Sequence, residues 1–222
     1  GNQGMDYYKP YGTYNPDGKI DPDSINSPAT AKGLITVGAS ENYRMEGGYQ
    51  IPWGTGSWQW KYSKDPILTD KLSDDPKGLA AFSSRGPTDD GRLKPDVVAP
   101  GTNLLSTKST KTTSNGWGAF AQNSNYIFMG GTSMSCPITA GSTALIREYY
   151  NVTLGLDSPS GALMKATLIN GAQDMTPGQY GSSDPVTQEI NSRPDNDQGW
   201  GRINLTNSLY PHGVNLTFTD VK

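Results

Sequence analysis

The chain has one cysteine and one histidine in 222 residues, and each scarcity removes a class of explanation. A lone cysteine, Cys136, forbids an intrachain disulfide, so the fold must be held by packing and the redox compartment leaves no mark on the sequence. A lone histidine, His212, confines any imidazole base that this chain could supply to a single position near its end. Positive charge is not in excess either: 18 Lys and Arg against 21 Asp and Glu give a net charge of -3 and a pI near 5.1. With no basic stripe, neither nucleic acid nor an anionic membrane surface is indicated as a partner. No apolar run approaches the length of a membrane-crossing helix, and no leader peptide is visible. What the chain has instead is 27 Gly, 16 Pro and a mean hydropathy of -0.61. That is a loop-rich, polar composition, expected of a secreted rather than a cytosolic protein, on a chain long enough for one domain with a real core.

One junction organises the pattern. Asn125-Tyr126-Ile127-Phe128-Met129 is a short apolar run bounded by glycine and reads as a strand ending. Residues 133–150 read as a helix beginning, and the pair Gly130-Gly131 allows a sharp turn between the two. Ser133 then stands at the positive end of a helix macrodipole, where a nucleophile is well placed and where an ordinary N-cap serine is also at home. Met134, Ile138, Gly141, Leu145 and Tyr149 fall on one face of this helix. Ala140, Gly141 and Ala144 keep that face shallow, so it is expected to run close under a sheet. Cys136, just inside the helix, fits a small buried slot better than a reactive thiol.

The run Gly131-Thr132-Ser133-Met134-Ser135-Cys136-Pro137 resembles the active-serine motif of the subtilases, the subtilisin-like serine endopeptidases. Gly1-Asn2-Gln3-Gly4 is similar to their Gly-Asn-x-Gly turn. Further blocks of resemblance are Ala80-Ala81-Phe82-Ser83-Ser84-Arg85-Gly86-Pro87, Lys94-Pro95-Asp96-Val97-Val98-Ala99-Pro100-Gly101 and Gln198-Gly199-Trp200-Gly201-Arg202-Ile203-Asn204-Leu205. The resemblance implies an α/β fold, a parallel sheet flanked by helices, of which this chain carries the C-terminal part over residues 1–210. Ser133 would attack the peptide carbonyl, with Asn2 and the Ser133 amide holding the oxyanion. Asn26, Ser27, Pro28 and Ala29 would line the pocket for the residue before the cut. Arg85 and Asp96 would be buried, hydrogen-bonded charges that brace loops, because an unpaired charge there costs several kcal/mol.

Elsewhere the readings are of scaffold. Leu34 to Val37, ended by Gly38, reads as a short buried strand, as do Val97 to Ala99 and Leu104-Leu105-Ser106. Residues 5–25, rich in Tyr, Gly, Pro and Asp, form a surface excursion; their acidic turn lacks the pattern of a calcium loop. The tryptophans Trp53, Trp58 and Trp60 pin an irregular segment, with a sugar-stacking platform as the rival reading. Residues 106–123 read as a loop around Trp117, and residues 161–171 as a second helix that buries Leu163, Ala166, Leu168 and Ile169. Asp195-Asn196-Asp197 reads as a solvated turn rather than a metal site. Residues 211–222 read as an exit segment, similar to the place where the large alkaline proteases of bacilli continue into a β-sandwich. Three Asn-x-Thr stretches, at Asn151, Asn204 and Asn215, carry meaning only in a eukaryotic secretory route.

The decisive gap is in the catalytic set. A serine nucleophile needs a base and a carboxylate that orients it. In subtilases the order is Asp, His, Ser, whereas His212 follows Ser133 and precedes Gly213 in the exit segment. Two explanations stay open at this level: an upstream half of the same domain supplies Asp and His, or the chain is a catalytically dead relative with a binding or structural role. On the first, the partner is the N-terminal half of the domain and the substrates are proteins or peptides. The chain alone would be inactive and, with a naked helix face, unstable. The chemistry requires no cofactor; a structural calcium ion is compatible with the family but no residues localise it.

Overall fold

The structure is a computed structural model in which residues 1–7, 14–181, 188–210 and 220 are described. The predicted exit segment, but for Asp220, and with it His212, lies outside the described residues. Strands β1 (Val37–Ser40) and β2 (Val97–Pro100) run parallel, paired from Val37 with Val97 to Ser40 with Pro100. Residues 201–203 extend the sheet on the far edge of β2, where Val98 N donates to Gly201 O and Ile203 N to Val98 O, each at 3.0 Å. Small apolar residues in an unbroken row suit strands covered on both faces. The first strand was expected to stop before Gly38, but it begins at Val37 and passes through that glycine. A β-carbon at position 38 would lie 3.0 Å from both Ser83 Oγ and Val98 Cγ1. The bare backbone therefore admits close neighbours rather than ending the strand.

A second, antiparallel sheet carries the strand that leads to Ser133. Its order is β3 (Leu104–Thr107), β5 (Tyr126–Met129), β4 (Gly118–Ala119). The segment read as a loop around Trp117 thus contributes a two-residue strand, with Gly118 opposite Phe128.

Helix α1 (Thr132–Glu148) begins directly after β5 and packs on β1 and β2. Its buried face is not the predicted one. Leu145 is 49% exposed and Gly141 is open to solvent, while Ser135, Thr139 and Ile146 are buried. Cys136, expected in a buried slot, is exposed. The reason is that hydroxyl side chains can satisfy themselves inside the fold. Ser135 Oγ donates to Pro100 O (3.1 Å) and Thr139 Oγ1 to Ser135 O (3.1 Å). Such residues are as compact as alanine or valine once their hydroxyl is paired, so they let the helix lie close against the sheet. An apolar-face count misses this and selects the opposite stripe.

Helix α2 (Gly161–Gly171) is capped by Ser160, whose Oγ accepts from Leu163 N. Leu163 and Leu168 are buried with Met164 and Thr167, but Ala166 faces solvent, one position off the inward stripe. Ile146 and Tyr150 from the α1 side close on Leu163, Met164 and Leu168. The short α3 (Leu205–Leu209), capped by Asn204, leans Leu205 and Leu209 on the same cluster.

The irregular segments build their own core. Trp53 is fully buried among Tyr62, Ile67, Leu72 and Phe82, and its Nε1 donates to Glu41 Oε1 at 3.0 Å. It pins the segment as expected, whereas Trp60 is 56% exposed. In the tyrosine-rich excursion, the buried Asp6 carboxylate accepts from Asp17 N and Gly18 N, at 3.0 and 2.9 Å. Asp195 Oδ1 accepts from the amides of Asp197 and Gln198, so that turn is internally braced.

Two sets of buried charge hold these parts together. Asp96 accepts from Lys94 Nζ (2.7 Å), Lys165 Nζ (2.6 Å) and Thr36 N (2.7 Å), joining β2 to α2 and to the approach of β1. Arg85 Nε faces Asp197 Oδ1 at 3.4 Å. The second set is acidic. Gln179 Nε2 and Tyr180 OH donate to Asp70 Oδ2, at 3.1 and 2.7 Å. Glu189 accepts from Leu79 N and Gln179 N, at 2.8 and 3.0 Å. Burial, with the neighbouring Asp70 next, pushes Glu41 well above the usual carboxylate range. Burial likewise pushes Asp70 up to about 7 and Glu189 up to about 8.

Asp96→Ala is expected to cost about 3–5 kcal/mol, because it leaves the Lys94 ammonium buried without a counter-charge; denaturant unfolding measures it. The acidic set sets a pH dependence. Its folded pKa values lie above the unfolded ones, near 4, so the folded state holds the extra protons. This set's contribution to stability is therefore full below about pH 4 and falls as pH rises from there, until it is lost once pH has passed about 7 and 8. Unfolding midpoints are expected to fall over that window, and Asp70→Asn to flatten the slope.

Candidate active site

The turn between β5 and α1 is fixed from three directions. Gly131 N donates to Gly101 O at 2.7 Å, which ties the turn to the end of β2. Gly131 itself has φ +132°, a conformation that side-chain-bearing residues rarely adopt. From the third direction comes Asn2, whose Oδ1 accepts from Thr132 N at 2.9 Å and from Thr132 Oγ1 at 2.8 Å. A contact across 130 positions of sequence thus brings the first residues of the chain onto the turn before Ser133.

Asn2 can make this contact because its own backbone is held. Ser84 N donates to Gly1 O (3.0 Å), Gln3 N to Ser84 Oγ (3.1 Å) and Gly4 N to Phe82 O (2.9 Å). Residues 1–4 therefore lie along residues 82–84, and Gly4 is bare because a β-carbon would run into the carbonyls of Ala81 and Ser83.

With its carbonyl oxygen engaged by Thr132, the Asn2 side chain turns its NH₂ group toward Gly131. The position that a β-carbon would take at Gly131 lies 3.2 Å from Asn2 Nδ2 and 3.7 Å from Ser133 N. Two N–H donors thus approach one small volume that is open only because residue 131 is glycine. Ser133 is exposed beside it, in the first turn of α1, which carries no acidic residue to offset the helix dipole. Chemically, this is a cradle for a developing negative charge next to a hydroxyl.

The structure places Asn2 against Gly131 and Thr132, at the start of the helix turn that carries Ser133. Residues 26–29 form an exposed to half-buried turn, with Ala29 N donating to Asn26 O at 2.9 Å and Thr36 Oγ1 donating to Ala29 O at 2.6 Å. This turn is linked to the Asn2 segment only indirectly, through the pairing of Ser24 with Arg85 and of Ser84 with Gly1. Two residues of the site escaped the sequence reading. Thr132 anchors Asn2, although it sits inside the motif itself. Trp117 stands against the turn: a β-carbon at Gly130 would fall within its indole ring. No pattern in the sequence links positions 117 and 130.

With this geometry in place, the comparisons with known proteins are informative. The model of the subtilase family matches residues 1–201. The chain is 33% identical over 171 residues to the serine protease AprX of Bacillus subtilis, covering 74% of this chain and 31% of that protein. It is 32% identical over 173 residues to the serine protease/ABC transporter B family protein tagB of Dictyostelium discoideum, covering 70% of this chain and 9% of that one. The chain therefore spans only a minor part of these relatives' length. Among solved structures, the CspB protease of Clostridium perfringens shares the fold with a TM-score of 0.50 at 24% identity, over 85% of this chain and 28% of that chain.

Gly131→Ala is expected to destabilise by about 1–3 kcal/mol, through a β-carbon at that φ and its intrusion on Asn2. Gly33→Ala, where a β-carbon meets nothing within 4 Å, should stay within about 0.5 kcal/mol of the parent. Equal losses at the two positions in denaturant unfolding would contradict the description of the turn.

Proposed function

The chain belongs to the subtilase family, and from that premise we propose that it is the oxyanion-and-nucleophile portion of a secreted serine endopeptidase. The observation that carries the reading is the approach of Asn2 Nδ2 and Ser133 N to one open volume beside the Ser133 hydroxyl.

In the proposed reaction Ser133 Oγ attacks the carbonyl carbon of a peptide bond and its proton passes to a histidine base. The carbonyl oxygen, now carrying negative charge, is held by Asn2 and the Ser133 amide. Collapse breaks the C–N bond, the leaving amine takes the proton from the base, and the acyl group remains on Ser133 until water releases it. Residues 26–29 belong to the pocket for the side chain before the cut. No cofactor takes part in these steps. The Asp and His of the triad come from an upstream portion of the same domain, so residues 1–210 alone are inactive.

The exposed face of α1 supports that partnership. Cys136, Pro137, Ala140, Gly141, Ala144 and Leu145 form a small-residue, largely apolar strip in solvent, a surface that a globular domain ordinarily covers. In our reading the upstream half covers it.

A fluorophosphonate probe on the full-length protein is expected to label Ser133, and Ser133→Ala to abolish labelling. Asn2→Ala should lower turnover by about 10²–10³-fold while leaving the fold intact. Failure of the full-length protein to label would leave a subtilase-fold protein with a binding or structural role. The cover over α1 is tested separately by maleimide modification of Cys136. The thiol should react in the isolated chain and be protected in the full-length protein; equal reactivity in both would refute it.

A further inference from the structure

We propose that Ser84 is a positioning residue for the oxyanion donor: its amide and its hydroxyl grip the two peptide groups that flank Asn2 and so set where Asn2 Nδ2 stands beside Ser133. The inference rests on the reading of Asn2 and Ser133 given above. It assigns a part in the reaction to a residue of the segment that otherwise reads as scaffold.

The Asn2 side chain is suspended from two ends. At its tip, Oδ1 accepts from Thr132 N at 2.9 Å and from Thr132 Oγ1 at 2.8 Å, which sets how the amide group is turned. At its base, Ser84 N donates to Gly1 O at 3.0 Å and Gln3 N donates to Ser84 Oγ at 3.1 Å. Gly1 O belongs to the peptide group before Asn2 and Gln3 N to the one after it, so a single residue holds both. The tip fixes orientation and the base fixes place. A donor aimed at a developing charge needs both, because a displacement of about 1 Å can cost on the order of 10²-fold in rate.

Burial does not supply the restraint at the base. Residues 1–3 are exposed in this chain, whereas Ser84 is 2% exposed. Hydrogen bonds to a buried anchor therefore hold an exposed segment. Gly1 leaves room for that anchor, since a β-carbon there would lie 2.7 Å from Ser84 Oγ. The next bonds along the chain, Gly4 N to Phe82 O at 2.9 Å and Tyr62 OH to Gly4 O at 3.0 Å, act beyond Gln3.

The neighbouring serine gives the contrast. Ser83 is as buried as Ser84, at 0% exposure, but its Oγ accepts from Ala39 N of β1 at 2.9 Å. Two adjacent hydroxyls, alike in burial and each accepting from one backbone N–H, thus serve different parts of the molecule. One braces the sheet and the other braces Asn2. A purely structural role for Ser84 would make the two equivalent in their effect on the reaction.

The test compares Ser84→Ala with Ser83→Ala in the full-length protein acting on a peptide substrate, each alone and combined with Asn2→Ala. Both serine variants leave a backbone N–H without its acceptor, and both should lower the unfolding temperature. Only Ser84→Ala should lower kcat, by about ten-fold or more with KM little changed, because the contact it disturbs is made in the transition state. On the Asn2→Ala background the same change should alter kcat by less than about two-fold, since its effect runs through Nδ2. Should Ser84→Ala be too unstable to assay, Gly1→Ala, which crowds the same hydroxyl from the other side, replaces it with the same expected losses. An unchanged kcat, equal losses of kcat for the two serines, or losses that multiply in the double variant would overturn the proposal. Asn2→Ala without effect on kcat would instead remove the oxyanion reading on which the proposal stands.

Discussion

The pair of hydrogen bonds from Thr132 to the Asn2 carbonyl oxygen is the constraint on which the site depends. An asparagine side chain offers an acceptor at one end and donors at the other. Engaging the acceptor with a backbone N–H and a hydroxyl leaves the donors no direction but toward Gly131. The orientation of Asn2 and the openness of the glycine turn are thus one arrangement. Its other supports are equally local: Ser84 holds residues 1–4 in place, and Gly101 fixes the far side of the turn. All of these contacts are made between residues of this chain.

The rest of the scaffold serves that turn by letting elements approach closely. Helix α1 meets the sheet through Ser135 and Thr139 rather than through large apolar side chains, and Gly38 admits Ser83 and Val98 to van der Waals distance. Hydroxyls satisfied within the fold and bare glycines both shorten the distance between backbones. The opposite face of α1 carries the apolar residues that a buried helix would normally turn inward. A helix with small residues on both faces is suited to lie between two layers.

The irregular segments are stabilised by a different principle. They have little regular structure, so their backbone polar groups are met by side chains: Asp6 by accepting amides of the acidic turn, Asn103 by clamping Tyr49, Glu189 by bonding Leu79 and Gln179. Carboxylates recruited for this work are drawn out of water, and burial raises Glu41, Asp70 and Glu189 toward the neutral form.

Local pattern alone determined the strand-turn-helix junction, the Ser160-capped second helix and the strand at Val97. Each follows from contiguous residues, namely a glycine-bounded apolar run, a serine cap or a motif of fixed spacing. Only the tertiary structure decided which face of α1 is buried, that Cys136 is exposed, that Gly38 lies within a strand and that Trp117 stands on Gly130. These depend on what packs against a residue, and the partner lies far away in sequence. For α1 the error has a specific cause. Hydrophobicity ranks Leu145 above Thr139, but a threonine whose hydroxyl is bonded one turn back is compact and fully satisfied. Distance of approach, which a sequence does not display, outweighed apolarity in choosing the inward face.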